Sequence, residues 1–180
     1  CVAYDGLERF FPKSKLLLTG NPVRSVLADN DIDQPTALKS YALNSQKPTL
    51  LVLGGSLGSQ RINALMASRL ERVVSQDVQI IWQCGALYYD RYMHLAQTGT
   101  VEIKAYINDM ATAFSAADII VSRAGASSVS ELCLVGKPVL FIPSPNVAEN
   151  HQYKNAKALA DKNAACVIEE SQLETNFDDV

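Results

Sequence analysis

The sequence has little of what several function classes require. Its two histidines and four cysteines (Cys1, Cys84, Cys133 and Cys166) form neither a C-x-x-C pair nor a Cys/His spacing of the kind that holds zinc. No histidine stands near a cysteine along the chain, which argues against a Cys–His nucleophile. The thiols are expected to be reduced and mostly buried. Sixteen Lys and Arg against nineteen Asp and Glu leave a formal charge of −3. There is thus no broad basic field, and no nucleic-acid partner is expected. No apolar run reaches the length that spans a bilayer.

What is present reads as one α/β domain. With 180 residues, 48% of them hydrophobic and 19% charged, the chain has the composition of a globular domain with a sizeable core. Short apolar runs at 15–19, 49–53, 78–83, 100–104, 118–121, 138–142 and 165–168 are the strand candidates. Strands apolar on both faces belong to a parallel sheet covered on each side. Between them, 59–74, 86–97, 108–117, 128–135 and 150–162 carry apolar residues at helical steps; Ile62, Leu65, Met66, Leu70 and Val73 show the pattern. Ser59 and Asn108 are placed to cap helices, and Gly136 to end one. Repeated βα units of this kind predict a Rossmann-like, doubly wound parallel sheet, whose ligands bind beyond the carboxyl ends of the strands. The opening Cys1-Val-Ala-Tyr-Asp-Gly6 reads as the inside of a strand and its turn, so the chain is expected to be part of a longer protein.

Five segments fall where such a sheet would place a ligand, and each supports two readings. Gly54-Gly-Ser-Leu-Gly-Ser59 is either an anion-binding turn at a helix start or a glycine turn chosen for close packing. In Ser122-Arg-Ala-Gly-Ala-Ser-Ser-Val-Ser-Glu131, the backbone N–H groups of Ala126, Ser127 and Ser128 suit a phosphate and Glu131 suits a ribose. Alternatively, Ser128 and Glu131 have the three-residue spacing of a capping box. Gly20-Asn-Pro-Val-Arg24 offers a guanidinium for phosphate, or is an ordinary surface turn. Asn150-His-Gln152 offers amide and imidazole groups to sugar hydroxyls, or is an exposed helix start. Tyr106-Ile-Asn-Asp-Met110 presents backbone groups to the edge of a base, or anchors the core through Tyr106 and Ile107.

In order and content these segments, with Asn155-Ala156, resemble the C-terminal, donor-binding domain of the MurG family, glycosyltransferase family 28. The resemblance covers nearly the whole chain. It implies the C-terminal half of a GT-B fold, with residues 1–14 closing the preceding acceptor domain and 15–180 forming the UDP-N-acetylglucosamine domain, ending before the family's closing helices. Ile107 would present backbone groups to uracil and Glu131 would take the ribose hydroxyls. Arg24, Ser56, Ala126, Ser127 and Ser128 would hold the diphosphate, and Gln152 and His151 would face the sugar. Many members carry two glutamines where this chain has His151-Gln152, and a bulkier residue followed by Thr where it has Ser127-Ser128.

The reaction so implied is an inverting transfer of N-acetylglucosamine to lipid I, giving lipid II of peptidoglycan synthesis, with UDP leaving. No metal and no cofactor are implied, and no general base is placed in this chain. The acceptor, lipid I, and the membrane would be met by the other domain, at the cytoplasmic face of the bacterial inner membrane, so this chain alone would bind donor without transferring it. Two alternatives remain beside this reading: another nucleotide-sugar domain of the same fold, and a nucleotide-binding domain without chemistry.

Overall fold

The structure is a computed structural model and describes residues 1–3 and 6–179. Six strands, β1 (Thr49–Leu53), β2 (Gln79–Gln83), β3 (Val101–Lys104), β4 (Ile119–Ser122), β5 (Val139–Phe141) and β6 (Cys166–Val167), form one sheet in the order 3-2-1-4-5-6. Every pairing is parallel, with Leu51 beside Ile81 on one side and Ile120 on the other. The order reverses between β1 and β4, and that gap is where a doubly wound sheet opens a crevice.

The helices are α1 (Ser25–Ala28), α2 (Gln34–Ser40), α3 (Gln60–Ser75), α4 (Tyr89–Tyr92), α5 (Met110–Ala116), α6 (Ala126–Val135), α7 (His151–Ala160) and α8 (Leu173–Asn176). Alternate residues of each strand point to opposite faces. Val52, Ile80, Trp82 and Val121 meet Ile62, Leu65, Met66 and Leu70 of α3. Leu51, Ile81, Ile120 and Phe141 meet Ala37 and Leu38 of α2, Ala113 and Phe114 of α5 and Leu132 of α6. Each fully buried aliphatic or aromatic side chain contributes about 1.5–3 kcal/mol. The two layers therefore fix the sheet, and the loops at its carboxyl edge inherit that rigidity.

Several sequence expectations need correction. The run at 15–19 is no strand of the sheet: Lys13–Lys15 form a 3-10 turn, and Leu18 makes one isolated parallel bridge to Val2. Leu17 and Leu18 are 63% and 55% exposed, far from the burial on both faces that a central strand of the sheet has. The 86–97 stretch breaks into α4 flanked by two 3-10 turns. Asp109, not Asn108, caps α5, accepting from the Thr112 N–H at 3.0 Å. Among the thiols only Cys84 is buried; Cys1, Cys133 and Cys166 are exposed. The helices α1 and α2, absent from the sequence reading, close the segment after Arg24. Asp33 caps α2 with Pro35 in its first turn. Tyr4, Asp5 and Val180, which the domain boundaries above include, lie outside the described residues.

Candidate functional site

The carboxyl edge of the sheet gathers the loops after β1, β2, β3 and β4 around a pocket of about 190 Å³. Arg24, Gly55, Ser56, Gln83, Tyr106, Ser128 and Glu131 are among its lining residues. Of the helices of ten residues or more that begin at this edge, α3 and α6 flank the pocket, and their starts differ.

At α3 the start is closed. Ser59 is the cap and its hydroxyl accepts from the Ile62 N–H at 3.3 Å. The turn before it packs backbone on backbone against the exit of β2. Gly58 has φ +80°, and a Cβ there would overlap the Cys84 carbonyl oxygen; Gly85 has φ +92°, and its Cβ would overlap Leu57 O. Only glycine allows both the dihedral and the approach. The Cys84 carbonyl is itself held by the Asn63 amide at 2.8 Å, and Asn63 also accepts from the Trp82 indole N–H at 3.0 Å. Burial raises the Cys84 thiol pKa, keeping it protonated and inert.

Gln83, only 5% exposed at the end of β2, joins this turn to the next one. Its amide donates to Gly55 O at 3.0 Å and accepts from the Ile107 N–H at 2.8 Å. Asn63 and Gln83 fall inside the helix and strand expected at 59–74 and 78–83, with no site role expected of either. The available signal was a polar residue inside an otherwise apolar helix face and at the end of an apolar strand.

At α6 the start is open. The helix begins at Ala126 with Gly125 as cap, and among the described residues no side-chain cap hydrogen bond closes its start. The capping-box reading of Ser128 and Glu131 therefore fails: Ser128 is the third residue of the helix, and Glu131 is the sixth, one turn further in. Glu131 is 7% exposed and meets Arg24 in a bidentate pair, with Nε to Oε1 at 2.8 Å and Nη2 to Oε2 at 3.2 Å. Asn21 lays the Gly20–Arg24 turn on the same helix through Ser130 Oγ at 3.1 Å and Ala126 O at 3.5 Å. This turn is docked, not a free surface turn. A carboxylate has about four lone-pair sites. The Arg24 fork takes two and leaves Glu131 able to accept from two further donors.

The remaining candidates are more dispersed. Ile107 is buried at 4% while Tyr106 is half exposed, so Ile107, with Met110, and not Tyr106, anchors the core. Because Gln83 already accepts the Ile107 N–H, a base edge must compete for it or use the Ile107 carbonyl. Ala126 and Ser127 lie on the first turn of α6. His151 and Gln152 open α7 and do not line this pocket: His151 Nδ1 is 2.9 Å from Ala148 O, and Gln152 Oε1 accepts from the Ser144 N–H at 2.9 Å. Asp109 is held below the usual carboxylate range by hydrogen bonds from the Thr112 hydroxyl and backbone, which keeps the start of α5 charged and fixed.

The expectation that the chain has no Asp-x-Asp motif is wrong, since Asp29, Asp31 and Asp33 stand at alternate positions; Asp33 is engaged as a helix cap. Among the described residues no three His, Cys, Asp or Glu side chains gather to hold a metal ion. A larger groove, about 760 Å³, lies at the opposite, amino-terminal edge of the sheet, lined by Pro48, Asp118, Pro138 and Cys166 among others. Strands start there, so it lacks the helix starts that give the carboxyl edge its partial positive charge.

Comparison with known proteins agrees with this architecture. Residues 49–178 match the model of the glycosyltransferase family 28 C-terminal domain. The chain is 53% identical over 177 residues to the UDP-N-acetylglucosamine–N-acetylmuramyl-(pentapeptide) pyrophosphoryl-undecaprenol N-acetylglucosamine transferase of Flavobacterium psychrophilum, covering 98% of this chain and 48% of that protein. It is 51% identical over 178 residues to the enzyme of the same name from Christiangramia forsetii, covering 99% of this chain and 48% of that protein. The chain thus spans about half the length of these curated relatives. The crystal structure of Acinetobacter baumannii MurG superposes with a TM-score of 0.63 at 31% identity, over 90% of this chain and 46% of that one. The glycosyltransferase SnogD from Streptomyces nogalater shares the fold at 18% identity and a TM-score of 0.53, over 71% of this chain and 32% of that one. The chain belongs to glycosyltransferase family 28, as its C-terminal domain.

Proposed function

We propose that this domain binds UDP-N-acetylglucosamine for an N-acetylglucosaminyltransferase of peptidoglycan synthesis. The observation that carries the reading is the convergence of three groups at one small pocket: the uncapped start of α6, the Arg24 guanidinium and the Glu131 carboxylate beneath it. Bond breaking at the anomeric carbon places negative charge on the diphosphate. A helix start and a guanidinium stabilise that charge without a metal. The first-turn N–H groups of Ala126, Ser127 and Ser128, with Ser56 and Arg24, take the diphosphate. Glu131 keeps its Arg24 fork and accepts the two ribose hydroxyls on its remaining lone pairs. Ile107 reads the uracil edge with its backbone. The amide nitrogen of Gln152 and, beside it, His151 reach the sugar as the cleft closes.

The names of the relatives support the sugar transferred and a pyrophosphoryl-undecaprenol acceptor; the family resemblance suggests the rest. Lipid I is the acceptor, bound with the membrane surface by the domain that precedes this one, and residues 1–14 belong to that domain. The whole enzyme sits on the cytoplasmic face of the inner membrane and serves cell-wall growth, shape and division. The 180-residue chain alone binds donor and transfers nothing. A dinucleotide-binding reading is disfavoured because β2 ends in Gln83, where such folds place an acid for the ribose.

Calorimetry with UDP tests the proposal. The parent chain binds UDP, and Glu131→Ala loses on the order of tenfold in affinity, the loss of one or two hydrogen bonds to a charged group. Equal UDP affinity in the two proteins would remove Glu131 from the site. A thermal shift with NAD(H) and none with UDP would favour a different nucleotide.

A further inference from the structure

Arg123 stands in the same motif as Glu131 but is not among the residues that line the pocket. It is the first residue after β4, and its side chain turns away from the pocket and is 13% exposed. Its guanidinium donates to Ser59 Oγ at 2.5 Å, to Ile142 O at 3.0 Å and to the Glu170 carboxylate, which is also 13% exposed. Arg61 adds a second link from α3 to the same segment, donating to Glu170 O at 3.1 Å.

One side chain thus joins the exits of β1, β4, β5 and β6. It starts on the turn that leads into α6 and ends on the residue that caps α3. Both helix starts that flank the pocket are tied to each other through a planar fork whose donors are fixed relative to one another. Glu170 offsets the charge, so the guanidinium adds little field of its own to the pocket.

We infer that Arg123, held by Glu170, is a positioning residue: it sets the separation of the two helix starts, and through that the fit of a diphosphate held between the start of α6 and Ser56 on the turn before α3. This rests on the UDP reading above. Arg123 touches no ligand and acts through Ser59 and the backbone. Its effect is therefore confined to the phosphates, because the base meets the loop after β3, which Gln83 and not Arg123 holds.

The test is calorimetry of UDP and of uridine with the parent chain, Arg123→Lys and Glu170→Gln, with melting curves to check folding. Lysine keeps the charge and loses the fork. The expected result is a UDP affinity about tenfold lower in Arg123→Lys, with uridine affinity within about twofold of parent, as for loss of one charge-assisted contact's worth of preorganisation. Glu170→Gln lowers UDP affinity by a smaller factor. An Arg123 acting through its charge predicts the opposite sign, since removing the Glu170 carboxylate would then tighten UDP, and that outcome overturns the inference. So does a parallel fall in UDP and uridine binding with the melting temperature, which marks a merely structural role, and so does unchanged UDP affinity in Arg123→Lys. A parent chain that binds no UDP overturns the UDP reading and this inference with it.

Discussion

The two helix starts that flank the pocket, those of α3 and α6, have similar sequences before them, glycine with small residues, and opposite physical states. The start of α3 is closed by the Ser59 hydroxyl and wedged against β2 by Gly58 and Gly85. The start of α6 has a glycine cap that offers no side chain, beside a guanidinium and a carboxylate. The same residue types therefore do two jobs. One turn is built for rigidity and presents Ser56 from a fixed frame. The other leaves its N–H groups for an anion.

The contrast breaks first at Gly58. Gly58→Ala puts a side chain at φ +80° into the Cys84 carbonyl. Strain and overpacking together are expected to cost about 3 kcal/mol or more, read as a lower denaturation midpoint. The matching change at the other turn has the reverse sign. Gly125 has φ −64°, and a Cβ there meets only Ser128 Oγ at 3.8 Å, so Gly125→Ser fits. It supplies the missing cap, stabilises the fold by a few tenths of a kcal/mol and weakens UDP by about fivefold, because the phosphate must displace the new hydroxyl. Calorimetry and melting curves on one sample check both signs.

A smaller effect sharpens the picture at the loop after β3. The Asp109 cap carries a carboxyl held below its ordinary range. Its contribution is complete above the unfolded value near 4 and is lost as pH falls through the lower folded value. Asp109→Ala is expected to cost about 1 kcal/mol at neutral pH, as for other lost caps. The gap from parent closes in acid, which urea melts at several pH values would show.

Much of this was legible in the sequence because it is local. The short, nearly all apolar runs from Thr49 onward became the six strands, and Gly136 ends α6 in the left-handed conformation that favours glycine. Ser59 caps α3 as its position before an apolar-periodic run suggested. The errors came where two local patterns competed or where the answer is tertiary. Ser128 and Glu131 had capping-box spacing, but the helix begins two residues before Ser128, and Glu131 is claimed by an arginine 107 positions away. The run at 15–19 looks like a strand by composition, yet among the described residues it pairs only with Val2. Gln83 and Arg123 reach across loops from strands adjacent only in the folded sheet, so no spacing announces them.

Titration of UDP into the ¹⁵N-labelled chain, followed by amide chemical shifts, compares the two edges of the sheet and the two helix starts at once. The account predicts the largest changes at Ala126, Ser127, Ser128 and Glu131, with smaller ones at Ser56 and Ile107 and little at Ile62 within the closed start of α3. Shifts centred on Pro48, Asp118 and Cys166, around the larger groove at the amino-terminal edge, would contradict it.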